Sequence, residues 1–106
     1  MPVEITIEWI QDRIQSRNYF WTLHADEERR NDGFDIIDVE KALFEGQILE
    51  SYPNDPRGPS CLVNGQSEGV PIHVVCGTNE LEQLVVITVY RPVRPKWDTP
   101  TKRSVK

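Results

Sequence analysis

Two cysteines in 106 residues are too few for a disulfide framework. Cys61 and Cys76 therefore read as reduced, buried, small hydrophobes of a cytosolic chain. Nor do His24, Cys61, His73 and Cys76 show the paired spacing of a metal site, so neither metal nor cofactor is expected. No apolar run approaches the roughly 20 residues that cross a bilayer. Residues 1–20 lack the apolar core of a signal peptide, so no membrane partner and a cytoplasmic location are expected. There is no glycine-rich phosphate loop, no G-x-S-x-G elbow and no H-E-x-x-H helix. Basic residues are scarce ahead of the C-terminus. Residues 1–90 carry six against sixteen acidic ones, a balance of −10, while residues 91–106 carry six against Asp98, a balance of +5. An acidic body argues against non-specific binding to nucleic acid, which depends on neutralising phosphates.

What is present suffices for one core: 38% hydrophobic residues, with three Trp, three Tyr and three Phe. Val3, Ile7, Ile10 and Ile14 recur at helical spacing and predict a first helix over 3–17. Residues 18–23 form an aromatic connector or short extended piece. A second, short helix spans 24–30 and ends near Gly33. A third starts at the N-cap Asp35, buries Ile36, Val39, Ala42 and Leu43 beside Phe34, and ends at Gly46 in a left-handed cap. The period then changes to two. Strands are predicted over 47–52, 60–64, 71–78 and 84–90, separated by the turn-forming segments 53–59, 64–69 and 77–80.

This order predicts an α+β domain over 1–98, with two to three N-terminal helices on one face of a four-stranded antiparallel sheet. Residues 99–106 read as a basic, solvated tail. Alternation places Ile72, Val74 and Cys76 on the helix side, together with Val85, Ile87 and Val89. His73, Val75, Thr88 and Tyr90 fall on the open face, so His73 and Tyr90 share it unless a bulge intervenes.

Four residues are candidates for chemistry. His73 interrupts the apolar run 71–76, either as a hydrogen-bonded structural residue or as a general acid or base titrating near neutrality. His24 opens the second helix, as its cap or as a proton donor. Arg57 sits between Pro56 and Pro59, where a stiffened loop suits a phosphate or carboxylate clamp; its bland reading is a turn arginine paired with Asp55. Tyr90 ends the last strand, as an edge aromatic or a hydrogen-bond donor. Arg29 and Arg30 lie among acidic neighbours and read as helical ion pairs.

Several runs resemble one family. They are Leu23-His24-Ala25-x-x-Glu28-Arg29-Arg30, Asp38-Val39-Glu40-x-Ala42-Leu43-x-x-Gly46-x-Ile48-Leu49-Glu50-x-Tyr52, Asp55-x-Arg57-Gly58-x-Ser60-x-Leu62-Val63, Pro71-Ile72-His73-Val74-Val75 and Val86-Ile87-Thr88-Val89-Tyr90-x-Pro92, with Trp97 beyond. Over roughly residues 20–98 they resemble the bacterial domain of unknown function family 4258. Many relatives carry Arg four and eight residues after the His, where this chain has Glu28 and Asp32. The helix–helix–sheet order is similar to the RelE-type fold of small ribonuclease toxins. By analogy the resemblance implies a metal-independent endoribonuclease, or the toxin of a toxin–antitoxin pair, with RNA as substrate and an antitoxin-like protein as partner. His73 and His24 would then exchange protons, Arg57 would hold the phosphate and Tyr90 would donate a hydrogen bond or stack on a base. The rival expectation is a non-catalytic protein-interaction module that uses the open sheet face. Convergence of the four residues on a cleft would favour the enzyme, and an apolar face the module.

Overall fold

Threonine hydroxyls start the first two helices. Thr6 Oγ1 accepts from the Trp9 N–H and Thr22 Oγ1 from the Ala25 N–H, both at 3.1 Å, each satisfying a donor that the helix itself leaves unpaired. A computed structural model describes residues 4–104. It contains helices α1 (Ile7–Gln15), α2 (Leu23–Asn31) and α3 (Ile36–Glu45), and strands β1 (Tyr19–Trp21), β2 (Gln47–Tyr52), β3 (Ser60–Ser67), β4 (Val70–Thr78), β5 (Leu84–Tyr90), β6 (Trp97–Thr99) and β7 (Lys102–Arg103). Val3, assigned to the first helix, lies outside the described residues. Because Thr22 is the cap of α2, His24 is not. In α3 the Asp38 carboxylate accepts from the Asp35 N–H at 2.9 Å and from the Ser67 hydroxyl at 2.7 Å. The second bond ties the start of α3 to β3 and is the main reason that this carboxyl ionises below its usual range. Val39, Ala42 and Leu43 are fully buried, as the stripe predicts, but Ile36 in the first turn is 44% exposed.

Among the described residues the class is α+β with three helices, but the main sheet has five strands, ordered β1-β5-β4-β3-β2. It is not purely antiparallel, since β1 runs parallel to β5. The aromatic connector supplies this extra strand: Leu84 N–H donates to Asn18 and Thr22 N–H to Val86, at 3.2 and 3.0 Å, so β5 gains a paired edge. The helices cover one face, with α2 against β5 and α3 against β3. Between the layers lie Ile10, Ala25, Phe34, Val39, Ala42, Leu43, Val63, Ile72, Val74, Leu84, Val86 and Val89.

Two glycines permit this contact. A Cβ on Gly65 would sit 2.2 Å from the Ala42 carbonyl oxygen, and one on Gly46 would sit 2.4 Å from the same atom. Gly46 is therefore an extended residue leading straight into β2, with φ −82°, and not a left-handed cap. Likewise Asn64-Gly65 is not a turn. β3 continues to Ser67, and the chain reverses at Glu68 and Gly69, with φ of 51° and 80°, the two positive values of a tight hairpin turn.

The alternation expected for β4 holds, whereas that for β5 breaks. Leu84, Val86 and Val89 are buried, yet Val85 and Ile87 are not. A register shift between Val75 and Cys76 inserts one extra β5 residue, so Val86 and Val89 both face the helices, and His73 still pairs with Tyr90. Beyond β5, β6 and β7 form a separate antiparallel hairpin. The domain boundary placed after residue 98 thus falls inside β6. Residues 99–104, expected as tail, make hydrogen bonds back to the domain.

Candidate functional site

The face of the sheet away from the helices is divided in two. At one end the C-terminal hairpin lies over it. His73 is fully buried there. The Pro100 carbonyl can only accept, so His73 Nε2 carries the proton and donates to it at 2.6 Å, and Nδ1 is left to accept from the Tyr90 hydroxyl at 3.1 Å. Trp97, 2% exposed, stands edge-on to the imidazole with ring centroids 4.5 Å apart. Burial pushes the His73 pKa below its ordinary value, against the pull of the Pro100 bond and the Glu50 charge, and it pushes the Tyr90 phenol up.

A charged clasp holds the hairpin in place. Arg103 lies over the Trp97 ring at 4.6 Å and donates from Nε and Nη2 to the Glu50 carboxylate at 2.8 and 2.7 Å. The Tyr52 hydroxyl bonds the same carboxylate. Chiefly through Arg103, Glu50 is held down to about 2, while burial and the neighbouring carboxylate push Tyr52 up to about 12.

These shifts contribute to the acid stability, beside the lowered carboxyls of Asp38 and Asp55. His73 is depressed below 6.5, so its contribution is complete above that pH and is lost as pH falls through the folded value. The contribution of Glu50 is complete above 4.5 and is lost towards about 2. Thermal melts should therefore fall continuously with acidification below neutrality. Glu50→Gln should flatten the part below pH 4.5, at a cost on the order of 1 kcal/mol at neutral pH, because solvent screens the clasp. An unchanged acid profile in that variant would contradict the assignment.

His24 is elsewhere. It is on the outer surface of α2, its side chain 68% exposed and its Nε2 3.2 Å from Glu28. Glu28 also accepts from the Val89 N–H at 3.1 Å, and Asp32 from the Arg91 N–H at 3.1 Å. Past the end of β1, these two carboxylates take the place of a strand on the open edge of β5. Arg29 and Arg30 both pair with Asp26, at 2.8 and 3.0 Å, as their acidic surroundings suggest.

The other end of the face is an open groove of about 730 Å³. Phe20, Val85, Ile87 and Gly77 supply apolar surface, and the loops after β2 and β4 add Asp55, Arg57, Pro59, Glu80 and Glu82. Phe20 is 42% exposed. Of the four candidate residues only Arg57 lines this groove. Its side chain is 80% exposed, and both Nε and Nη2 approach Asp55 at 3.4 Å. Asp55 in turn accepts from the Arg57 N–H at 3.0 Å and the Ser60 hydroxyl at 3.2 Å, and the Arg57 N–H does most to lower its pKa.

The register thus brings His73 and Tyr90 together, but neither His24 nor Arg57 joins them. Sequence reasoning overlooked Phe20, Gly77 and Ile87 as groove residues and Trp97 as the cover of His73. The alternation Tyr19-Phe20-Trp21 carried a signal for Phe20, which points away from the helix-side Tyr19 and Trp21. Among the described residues no group of three His, Cys, Asp or Glu is arranged to hold a metal, and no helix is long and apolar enough to cross a membrane.

A family model described as Domain of unknown function (DUF4258) matches residues 21–91. That span runs from the end of β1 through β5 and contains His24, Arg57, His73 and Tyr90, whereas α1 and the C-terminal hairpin lie outside it. No curated protein and no solved structure matches the chain.

Proposed function

Given that the chain belongs to the family Domain of unknown function (DUF4258), we propose that it is a protein-interaction module whose groove receives an apolar, basic segment of a partner. The groove carries this reading: an uncovered apolar floor on a sheet whose other face is covered by helices and whose own face is closed at one end by the hairpin. Its charge selects the occupant. Asp55, Glu80 and Glu82 outnumber Arg57 among the lining residues, and Asp55 already engages that guanidinium. Such a wall repels a polyanion and attracts lysine or arginine. An antitoxin-like partner would be received by the same contacts.

A short peptide alternating Leu and Lys is expected to bind in a calorimetric titration, with an affinity that falls as salt is raised, whereas a Leu–Glu peptide is not. Phe20→Asp should weaken the complex about tenfold or more while leaving the thermal melt near that of the wild type. Equal binding of both peptides, or no effect of Phe20→Asp, would overturn the reading.

One observation favours the second reading, a metal-independent RelE-like ribonuclease: the exposed Arg57 guanidinium stands on the wall of an open groove. In that reaction Arg57 would hold the scissile phosphate. The proton-transfer partner would have to be a residue other than His73, whose two ring nitrogens are engaged and shielded from solvent. Incubation with RNA without added metal tests it. Cleavage to 2′,3′-cyclic phosphate ends, lost in Arg57→Ala, would favour the enzyme over the module.

A further inference from the structure

Cys61 and Cys76 face each other across β3 and β4 as register partners. Their sulfurs are 3.7 Å apart, and the residues are 1% and 0% exposed. Antiparallel partners hold their Cα atoms about 4.5–5.5 Å apart, inside the span of about 4.4–6.8 Å that a disulfide bridges. Bond formation therefore requires side-chain rotation and little movement of the strands.

The two thiols are not equivalent. Cys61 lines a pocket of about 340 Å³ together with Ile5, Pro53 and Pro59, and Cys76 does not. A small oxidant thus meets Cys61 first. The contact between the two sulfurs lowers the Cys61 pKa, while the same contact together with burial raises that of Cys76. This is the order expected of an attacking sulfur with a resolving sulfur behind it.

We propose that Cys61 and Cys76 are an intramolecular redox pair, oxidised by a hydroperoxide, with Cys61 as the sulfur that reacts first. The Cys61 thiolate attacks one oxygen of hydrogen peroxide, the O–O bond breaks, and hydroxide leaves as water after taking a proton. Cys61 is then a sulfenic acid. The Cys76 sulfur attacks Cys61 Sγ, the S–O bond breaks, and the departing hydroxide takes the Cys76 proton as a second water. The two thiols lose two electrons, which the peroxide gains. The neighbours of the pair, Ser60 and Gly77, line the groove, so the new bond lies directly behind its floor. The redox chemistry does not depend on what the groove binds.

The test is to treat native protein with hydrogen peroxide, alkylate the remaining thiols and map peptides without reduction. The expected result is loss of both titratable thiols and a Cys61–Cys76 disulfide within one chain, restored to thiols by dithiothreitol. Cys76→Ser should stop at a Cys61 sulfenic acid that dimedone captures, and Cys61→Ser should leave Cys76 reduced. Thiols that both survive in the folded protein but oxidise after denaturation would overturn the proposal, as would capture of the sulfenic acid on Cys76 in Cys61→Ser.

Discussion

His73→Ala is expected to destabilise the domain by about 3–5 kcal/mol, the range for truncating a large buried side chain and stranding its hydrogen-bond partners. The substitution empties a site that is fully buried and leaves the Pro100 carbonyl and the Tyr90 hydroxyl without their partner. It also removes the ring against which Trp97 stands. Urea denaturation should show the loss as a lower midpoint. Tyr90→Phe, which removes only the donor to Nδ1, should cost about 1–2 kcal/mol. A histidine held for catalysis would behave differently, because its removal would spare the fold and abolish a reaction. A His73→Ala protein as stable as wild type would show that the hairpin does not depend on this ring.

Gly65→Ala should be nearly as damaging, with a loss of about 3 kcal/mol or more. The added methyl would meet the carbonyl oxygen of Ala42 at 2.2 Å and its carbonyl carbon and Cα at 2.7 Å. All three atoms belong to the backbone of α3 at a buried residue, so relief requires α3 to move off the sheet. Gly69→Ala is the control. That residue has φ +80° and open space around its would-be Cβ, so the substitution should cost only the left-handed backbone penalty of about 1–2 kcal/mol. Parallel thermal melts check the ranking, and the account fails if Gly69→Ala is the worse of the two.

The contrast between these glycines shows where the sequence was legible. Asn64-Gly65 has the composition of a turn, yet Gly65 is a strand residue selected by the approach of a helix that is distant in sequence. Local chemistry cannot reveal such a contact. The core stripe of α3 was readable because three of its four apolar positions meet the sheet, and the exception, Ile36, lies in the exposed first turn. Alternation placed His73 and Tyr90 together correctly, and the structure pairs them directly. The same rule misassigned Val85 and Ile87, because the extra residue in β5 shifts the alternation by one. β1 was legible only as an aromatic connector or short extended piece, because its parallel partner β5 is distant in sequence and nothing local reveals the pairing. The hairpin was hidden by charge. Six basic residues among the last sixteen resemble a solvated tail, and a single tryptophan in their midst closes the sheet over His73.

Arg57 illustrates a further limit. Its loop lies beside a groove, and that groove is shared with Phe20 from β1 and Ile87 from β5. No spacing pattern joins those three positions: the parallel pairing of β1 with β5 sets Phe20 beside the strand of Ile87, and the loop after β2 brings Arg57 to the same groove.

The docking role of the groove is tested most directly by amide shift mapping of isotope-labelled protein with three probes: the Leu–Lys peptide, the Leu–Glu peptide and a single-stranded RNA. The account predicts saturable shifts from the Leu–Lys peptide alone, concentrated at Phe20, Gly77, Thr78, Val85 and Ile87, with the residues around His73 and Trp97 undisturbed. Shifts centred on the groove from the RNA, with none from the basic peptide, would contradict it.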